Sequence, residues 1–423
     1  MKRLFIIITL LLLLANTLYV FSHPVDKSNP IYINVKDFGA KGDGSTDDTE
    51  AIKNAAGKAY AESKVLYFPT GTYDISDSIK FGFDNSKTLT LQGGTNAVIT
   101  TPEDYEGDIF VSNMEFNFYV KNLKFIHKGP KGQILNSHYL NAYNCIFEGN
   151  STNKSTLVSF AGSNCKVQDC TFITKNENSY ALEYVRRPEK ISINDYIIDN
   201  TFAGVGKGLR IAASSMDGRP EGLKVNGCTF ENSNSVQILV ECILHLDISD
   251  NTFKNSTGTA IKVVPRDLGV HGLFITGNSI QAQEYCIEAQ DNGLGTIHIA
   301  DNYIHDSKIG VFMNKSFADV HVHNNYFKNI SDTPVKLLNA FEIYVAENVI
   351  EDSGKSLHIT GRKGNFVIEN NIYSKKAIVD IENYKYKETL SNQVNIYVVL
   401  SIIFSIGIVV LIAVLVFLLK KKT

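Results

Sequence analysis

The sequence predicts an all-β solenoid, in which short strands stack coil upon coil. From about Leu123 onward one phrase recurs: an alternating apolar segment, a small polar pair and an aromatic or aliphatic residue, as in "LDISDNTF" and "VHVHNNYF". The phrases end 22 to 30 residues apart, and their alternation has the period of two that strands require. Leucine-rich repeats have a similar length, but the leucine spacing of those repeats is absent here.

A column of asparagines is the second observation that predicts this fold. An asparagine stands two residues before the end of most phrases, and equivalent residues of stacked coils lie about 4.8 Å apart. The amides can therefore bond from coil to coil and satisfy buried polar groups at a turn. The predicted column contains Asn200, Asn251, Asn278, Asn302, Asn325, Asn348 and Asn371. Cys145, Cys170 and Cys228 take the same position in other coils, so we expect buried thiols there, while the state of Cys165, Cys242 and Cys286 is left open.

The two ends of the chain are hydrophobic. Residues 1–22 are typical of a signal peptide, because Lys2 and Arg3 precede an apolar stretch and cleavage near His23 is expected; an uncleaved anchor is the alternative. Residues 394–419 carry no charge and are long enough to cross a bilayer. The lysines that follow predict a cytoplasmic tail, residues 420–423. We therefore expect a single-pass membrane protein whose large domain lies outside the cytoplasm, at the cell surface.

A short helix is predicted near the start of the domain, after the stretch "VKDFGAKGDGSTDDTEAI". Asp47 or Asp48 can cap its first turn, and Glu50 stands where a capping box requires it. The aspartates do not have the spacing of a calcium-binding EF-hand loop, and the glycines lack the Gly-Lys-Ser/Thr ending of a phosphate loop. The stretch is thus interpreted as a cap and not as a ligand site.

The same stretch, followed by "VLYFPTGTYDIS" and "LTLQGG", resembles the pectate-lyase-like superfamily, and within it the rhamnogalacturonase/epimerase-type pectate lyase domain. This resemblance implies a right-handed parallel β-helix over residues 31–385, with a cap at 31–94 and coils at 95–385. Members of the superfamily include lyases, hydrolases, epimerases and binders without catalysis. The resemblance therefore specifies the fold more strongly than the reaction.

Candidate site residues lie on the second strand of each coil after the asparagine turn. Its outward positions are predicted as Glu183, Arg210, Gln237, Lys262, Glu288, Phe312, Lys336 and His358. The alternative interpretation is a solvated ladder of ion pairs, each of which contributes little. Four of the six arginines after residue 22 fall between positions 186 and 219, where the coils are also longest. Because insertions in solenoids gather on the binding face, we expect a cleft for an anionic sugar chain there.

Roles within this cleft follow from the chemistry of acidic sugars. Arginine forks bind carboxylates well, so the predicted substrate-binding residues are Arg186, Arg187, Arg219, Lys207 and Lys262. The predicted catalytic residues are Glu183, Asp217 and Arg210. In a lyase, an arginine or lysine would abstract the proton next to a uronate carboxylate, and other cations would neutralise the charge that develops. In a hydrolase, Glu183 and Asp217 would flank the bond. The motif set of polygalacturonases is absent as a set.

A second candidate site consists of histidines. His298 and His321 align one coil apart, and His321 and His323 point to the same side of one strand. Three imidazoles on one face could hold zinc or copper, while three solvated histidines are the alternative. No cofactor other than such a divalent metal is expected. No Gly-x-Ser-x-Gly elbow supports a serine nucleophile.

The leading functional prediction is a membrane-anchored protein that binds an acidic polysaccharide and cleaves it, as a lyase or glycoside hydrolase, or epimerises it. The alternatives are a glycan-binding surface protein or adhesin without catalysis, and a metal-handling protein. The net charge of −3 and the absence of a basic patch argue against nucleic acid as a partner.

Overall fold

The computed structural model describes residues 31–382, except 82–87, 113–115, 188–191, 215, 217, 267, 291–292, 315–318, 362–364 and 375–378. The signal peptide, the membrane helix and the tail predicted from the sequence lie outside these residues, as do residues 383–385 of the predicted domain. The one α-helix of the described part is not apolar enough to span a membrane.

Every coil contributes one strand to a parallel sheet of 14 strands, which we call sheet A. Its strands are β1 (Tyr32–Asn34), β3 (Val65–Phe68), β6 (Thr88–Gly93), β9 (Asn117–Lys121), β12 (Tyr139–Tyr143), β15 (Lys166–Gln168), β18 (Ile193–Ile198), β21 (Glu221–Asn226), β24 (Ile243–Ser249), β27 (Val270–Thr276), β30 (Ile297–Ala300), β32 (Asp319–His323), β34 (Glu342–Ala346) and β37 (Phe366–Glu369).

The remaining 25 strands belong to sheet B, which runs along the other sides of the solenoid in two columns. The column that follows the asparagine turn contains β4 (Gly71–Asp74), β7 (Ala97–Thr100), β10 (Lys124–Ile126), β13 (Ile146–Glu148), β16 (Thr171–Thr174), β19 (Thr201–Gly204), β22 (Thr229–Glu231), β25 (Thr252–Ser256), β28 (Ser279–Ala282), β35 (Val349–Glu351) and β38 (Ile372–Tyr373), with β2 (Asp43–Asp47) paired to β4.

The second column contains β5 (Ile79–Phe81), β8 (Phe110–Ser112), β11 (Leu135–Asn136), β14 (Val158–Phe160), β17 (Tyr180–Arg186), β20 (Lys207–Ala213), β23 (Val236–Val240), β26 (Thr259–Val263), β29 (Tyr285–Gln290), β36 (Leu357–Gly361) and β39 (Val379–Glu382). Two long strands, β31 (Tyr303–Asn314) and β33 (Tyr326–Ala340), bend through both columns. Within the described residues the strands pair in parallel, so the predicted solenoid is confirmed.

The core is a stack of apolar side chains inside the coils. The final residues of the recurring phrases form its clearest column, in which neighbouring rings lie 4.5 to 5.3 Å apart, centroid to centroid. This column contains Phe125, Phe147, Phe172, Phe202, Phe230 and Phe253. Such offset ring contacts add stability beyond the area that they bury. Where a phrase ends in phenylalanine, the stacking of that ring therefore stabilises the contact between one coil and the next.

The predicted asparagine column is confirmed. The side-chain amide of Asn278 donates to Oδ1 of Asn302 at 2.9 Å, and the same oxygen accepts from the backbone N–H of Asn278 at 2.9 Å. Cys228 takes the asparagine position of its own coil, and its backbone N–H donates to Oδ1 of Asn251 at 2.8 Å. All six cysteines are buried free thiols.

Helix α1 (Thr49–Ala61) closes the first coil with a buried face that includes Ile52, Ala55 and Ala59. Of the two predicted caps, Asp47 accepts the backbone N–H of Thr49 at 3.0 Å, whereas Asp48 makes no side-chain capping bond. The capping box is not completed, because Glu50 pairs with Lys53. The Asp48 carboxylate turns back and accepts the backbone N–H groups of Lys41 (2.6 Å) and Gly42 (3.0 Å). The aspartate therefore fixes the preceding loop, which a short 3-10 helix (Val35–Phe38) begins.

Candidate functional site

The site predicted from the sequence lies on the outer face of the second column of sheet B. Glu183 on β17 pairs with Arg210 on β20, and Arg210 pairs with Leu239 on β23. The column continues through Lys262 on β26 to Glu288 on β29. We call these five positions the outward row.

Leu239, and not Gln237, occupies the outward row on β23, so that prediction is wrong. Gln237 is only 1% exposed, and its amide donates to the backbone oxygens of Phe230 and Lys254, each at 3.1 Å. In the sequence "VQILV", Gln237 and Leu239 are two residues apart, so alternation gives them the same face. Only the polarity of glutamine favoured Gln237 as the solvent-facing residue.

Arg210 is the centre of a charge network. Its Nη1 donates to Oε1 of Glu183 at 2.9 Å, and its Nε donates to Oε2 of Glu241 at 2.7 Å. Burial disfavours the charge on Arg210, but the hydrogen bonds with both glutamates outweigh burial and raise its pKa. The guanidinium therefore keeps its positive charge at any pH at which the protein is folded.

Glu241 and Arg266 extend this network, and the sequence analysis did not identify either residue. Glu241 follows β23 and is 3% exposed, and its second oxygen, Oε1, lies 3.0 Å from Nε of Arg266. Two carboxylates thus alternate with two arginines on neighbouring coils. The sequence contained a partial signal, because Glu241 and Arg266 lie just after equivalent strands of two adjacent coils, β23 and β26. Nothing in the sequence shows that their side chains meet.

Lys262 and Lys207 flank the network. Nζ of Lys262 lies 3.0 Å from Oε2 of Glu288, which also accepts the Thr259 hydroxyl at 3.1 Å. Nζ of Lys207 lies 4.9 Å from the ring centroid of Tyr180, a cation–π geometry. Burial raises the pKa of Tyr180 to about 12, so its hydroxyl stays protonated at neutral pH.

The side chains of the other predicted arginines donate hydrogen bonds to neighbouring segments of the chain. Arg187 donates to Oδ1 of Asn136 at 2.6 Å, and burial lowers the pKa of Arg187. Nη1 of Arg219 donates to the backbone oxygen of Leu268 at 2.8 Å, while Nη1 of Arg186 donates to the backbone oxygen of Arg219 at 3.4 Å. These contacts join the loops after β17, β20 and β26 along one side of the outward row. Asp217, the predicted partner of Glu183, lies outside the described residues.

The three predicted metal-binding histidines lie on the outer face of sheet A, away from the outward row. The rings of His298 and His321 stack with their centroids 4.5 Å apart, and His298 also stacks on Phe274 at 5.1 Å. Burial, with the neighbouring His321 and His323, lowers the pKa of His298. No group of three histidine, cysteine or acidic side chains in the described part of the chain could hold a metal ion. Face-to-face stacking explains this, because it keeps the ring nitrogens of adjacent coils from converging on one point.

The outward row therefore brings together Glu183, Arg210 and Lys262 of the predicted residues, adds Glu241 and Arg266, and places Lys207 at its side. Such an arrangement presents fixed guanidinium and ammonium groups two coils apart, at β20 and at β26. It can bind anionic groups that repeat along an extended ligand, and it can stabilise negative charge that develops there.

The chain is similar to several known proteins. A mannuronan C-5 epimerase module of Azotobacter vinelandii has a similar solved structure, with a TM-score of 0.48, 15% identity, and coverage of 85% of this chain and 100% of that one. Alginate lyase 7 of Azotobacter vinelandii is 57% identical over 44 residues, which are 10% of this chain and 5% of that protein. A polygalacturonase of Prunus persica is 34% identical over 91 residues, which are 21% of this chain and 22% of that protein. The chain thus spans less than a quarter of the length of these curated relatives.

Two family models match the chain itself. One, described as a right-handed beta helix region, matches residues 191–372. The other matches residues 32–262, which is more than half of the chain. Its description names rhamnogalacturonase A/epimerase, and the chain accordingly belongs to this pectate lyase-like family.

Proposed function

We propose that this protein binds an acidic polysaccharide along the outward row and cleaves or epimerises it. The observation that carries the proposal is Arg210, held between Glu183 and Glu241 on the outer face. Lys207 lies on the same strand as Arg210, and Lys262 lies two coils further along the row. The names of the relatives support the same class of substrate, because alginate lyase and polygalacturonase act on polymers of uronic acids.

Proton abstraction, as in a lyase or an epimerase, suits the outward row better than hydrolysis does. A hydrolase needs one carboxyl group that carries a proton for the leaving oxygen. Glu183 and Glu241 are both held by Arg210 at 2.9 and 2.7 Å, so neither is free to act as that donor. Removing the proton next to a uronate carboxylate instead creates negative charge, which a fixed guanidinium stabilises.

Arg210 would supply this electrostatic stabilisation and would not act as the base, contrary to one of the roles predicted from the sequence. Its raised pKa keeps it protonated, and a protonated guanidinium cannot accept a proton. The proton would instead pass to a lysine amine, the other group predicted for that role, and Lys207 lies on the same strand as Arg210. Positioning also follows from the contacts, because Glu183 and Glu241 fix the plane of the guanidinium before a substrate arrives.

A panel of polysaccharides tests this proposal. The purified protein is incubated with alginate, polygalacturonate, a rhamnogalacturonan and neutral glucans, and three products are measured: unsaturated uronates by ultraviolet absorbance, new reducing ends, and epimer content by nuclear magnetic resonance. We expect turnover of at least one acidic polymer and none of the glucans. The variant Arg210→Gln should lose about 10²-fold or more in kcat, the usual effect of removing one oriented donor.

Lys254→Gln is the matched control, since Lys254 pairs with Glu231 at 2.9 Å on the other column of sheet B. It should keep the parent activity. Full activity of the Arg210→Gln variant would place the chemistry elsewhere on the molecule and contradict the proposal.

A glycan-binding protein without catalysis is the second candidate. The specific observation that favours it is that each carboxylate of the network is already paired with a cation, as in Glu183 with Arg210 and Glu288 with Lys262. Retained binding of an acidic polymer, without product from any member of the panel, would favour this candidate.

A further inference from the structure

We propose that Glu241 positions Arg210 and Arg266 as a two-pronged receptor for carboxylates on alternate units of an acidic sugar chain. This inference rests on the function proposed above and specifies how the ligand is recognised. It assigns substrate binding to Arg266, and it makes Glu241 a positioning residue.

The geometry around Glu241 carries the proposal. Glu241 is 3% exposed, and each of its carboxylate oxygens lies close to the Nε atom of a different arginine. Oε2 lies 2.7 Å from Nε of Arg210, and Oε1 lies 3.0 Å from Nε of Arg266. Because Nε is the inner nitrogen of the guanidinium, the terminal nitrogens of both arginines extend past Glu241, although Nη1 of Arg210 is held by Glu183. Among the described residues, Nη2 of Arg210 and both terminal nitrogens of Arg266 have no hydrogen-bond partner.

The two forks are accessible to a ligand. The side chain of Arg266 is 64% exposed and that of Arg210 is 30% exposed, whereas the glutamate between them is buried. A buried carboxylate with two half-exposed arginines is unlike a surface ion pair, in which both partners are solvated. The buried glutamate therefore holds the two Nε atoms in place, while the outer ends of the arginines remain accessible to a ligand.

The spacing of the forks suggests which groups they take. Arg210 lies on β20, Glu241 follows β23 and Arg266 follows β26, so the two arginines are two coils apart, about 9.6 Å along the stack. In a linear chain of uronic acids whose neighbouring units face opposite ways, carboxylates on one side recur at every second unit. Forks two coils apart therefore fit alternate units of a chain that runs along the solenoid.

The backbone of Arg266 and of the described residues that follow it is held by hydrogen bonds before any ligand binds. The backbone N–H of Arg266 donates to the backbone oxygen of Glu241 at 2.8 Å, and the N–H of Gly269 closes the turn on the oxygen of Arg266 at 2.9 Å. Gly269 has φ +75°, which favours glycine at this position. Arg219 holds the same loop through the oxygen of Leu268. A receptor that is already ordered loses less entropy on binding.

Net charge would not attract an acidic sugar chain to this receptor, because the formal charges of Glu183, Arg210, Glu241 and Arg266 cancel. A polyanion that binds beside two glutamates must gain from directed fork contacts. This difference gives the test its contrast: a mutation that removes a negative charge strengthens simple attraction but weakens an oriented receptor.

The test is Glu241→Gln in the full-length protein. Binding of uronic acid oligomers of two, three and four units is measured by isothermal titration calorimetry. We expect the parent protein to bind the trimer much more tightly than the dimer, since three units are the shortest chain with two alternate carboxylates. Glu241→Gln should bind the trimer about tenfold more weakly, the usual loss for charge-assisted contacts, and should lose the difference between trimer and dimer.

Two further variants keep the test decisive. Glu241→Asp retains the charge but cannot reach both arginines, so it should weaken trimer binding even if Glu241→Gln fails to fold. Glu148→Gln is the matched control, because Glu148 also lies between two cations of neighbouring coils, Lys124 at 2.9 Å and Lys175 at 2.5 Å, on the other column of sheet B. It should leave binding unchanged.

The outcomes separate this inference from the proposed function. If the parent binds and turns over an acidic polymer but Glu241→Gln binds the trimer as tightly or more tightly, the receptor is wrong and the proposed function stands. Equal binding of dimer and trimer by the parent also overturns the receptor. If the parent binds no acidic oligomer or polymer, both fail.

Discussion

Asp195 shows how much a single buried carboxyl group can determine. It lies inside the solenoid, at a position that leucines occupy on the next coils, beginning with Leu223. The Tyr184 hydroxyl bonds its Oδ2 at 2.5 Å, and the backbone N–H of Cys165 donates to its Oδ1 at 2.6 Å. Burial raises the pKa of Asp195 to about 7, although these hydrogen bonds act in the opposite direction.

Stability should therefore depend on the ionisation of Asp195. The folded-state pKa lies above the ordinary value of 3.8, so between these values the folded protein binds more protons than the unfolded chain. The stability that the protonated acid provides is complete below about pH 4 and is lost as the pH rises to about 7. Asp195→Asn removes this dependence. The variant should gain thermal stability over the parent at pH 8 and much less at pH 5.

Thermal melts at both pH values check this expectation. Asp199→Asn, which changes an aspartate at a turn just after the same strand, is the control and should show no such pH-dependent gain. The same difference between Asp195→Asn and the parent at pH 5 and pH 8 would show that Asp195 is ionised throughout.

At this scale, sequence patterns recover pairs within the strands of a column but not contacts between residues that lie beyond the strand ends. The pairing of Glu183 with Arg210 follows from aligning "ALEYV" with "GLRIA". The contact of Glu241 with Arg266 does not follow, because both residues lie just beyond their strands, where alternation no longer fixes the direction of a side chain. Gln237 was misassigned for a related reason, since its hydrogen bonds override the usual preference of glutamine for solvent.

At the scale of structural elements, the asparagine turn links neighbouring coils through side-chain hydrogen bonds. Asn302 is 2% exposed, and its amide donates to the backbone oxygens of Ile275 and Ala300 and to Oδ1 of Asn325, at 2.8 to 3.0 Å. Its own Oδ1 accepts two hydrogen bonds from Asn278. One side chain thus satisfies groups on three successive coils. The column was predictable because the asparagine recurs at a fixed place in most phrases.

Asn302→Ala should lower the free energy of unfolding by about 2–3 kcal/mol, because it leaves buried backbone groups without partners. Asn371→Ala is the matched variant. Asn371 is the last member of the column in the described part of the chain and is half-buried, so its loss should cost less than half as much. Urea denaturation of both variants checks the order. Equal costs would mean that the amides contribute independently of burial.

The molecule as a whole is a stack that begins at α1 and carries its candidate site along one side. The family resemblance predicted from "INVKDFGAKGDGSTDDTEAI" is confirmed by the family model, and the coil period follows from the phrases alone. The loops between the columns were not predictable in the same way, because their lengths vary from coil to coil and their contacts are long-range, as with Arg219 and Leu268.

Membrane attachment remains a prediction at this scale, since residues 394–419 lie outside the described part of the chain. We expect the full-length protein to stay with the membrane fraction after carbonate extraction, and a variant that ends at residue 390 to be released. The large domain should be degraded when protease is added outside the cell, because it is expected to face outwards. Recovery of the full-length protein in the soluble fraction would contradict the prediction.

The asparagine column has a direction. From Asn251 to Asn371, each amide nitrogen donates to the oxygen of the asparagine on the following coil, in five consecutive bonds of 2.9 to 3.1 Å. Dipoles aligned head to tail in this way polarise one another and add up along the axis. The C-terminal end of the column, at Asn371, therefore carries the positive pole of an extended side-chain dipole. The chain of amides gives the solenoid an electrical polarity, comparable to that of an α-helix, in a fold whose backbone sheets have almost none.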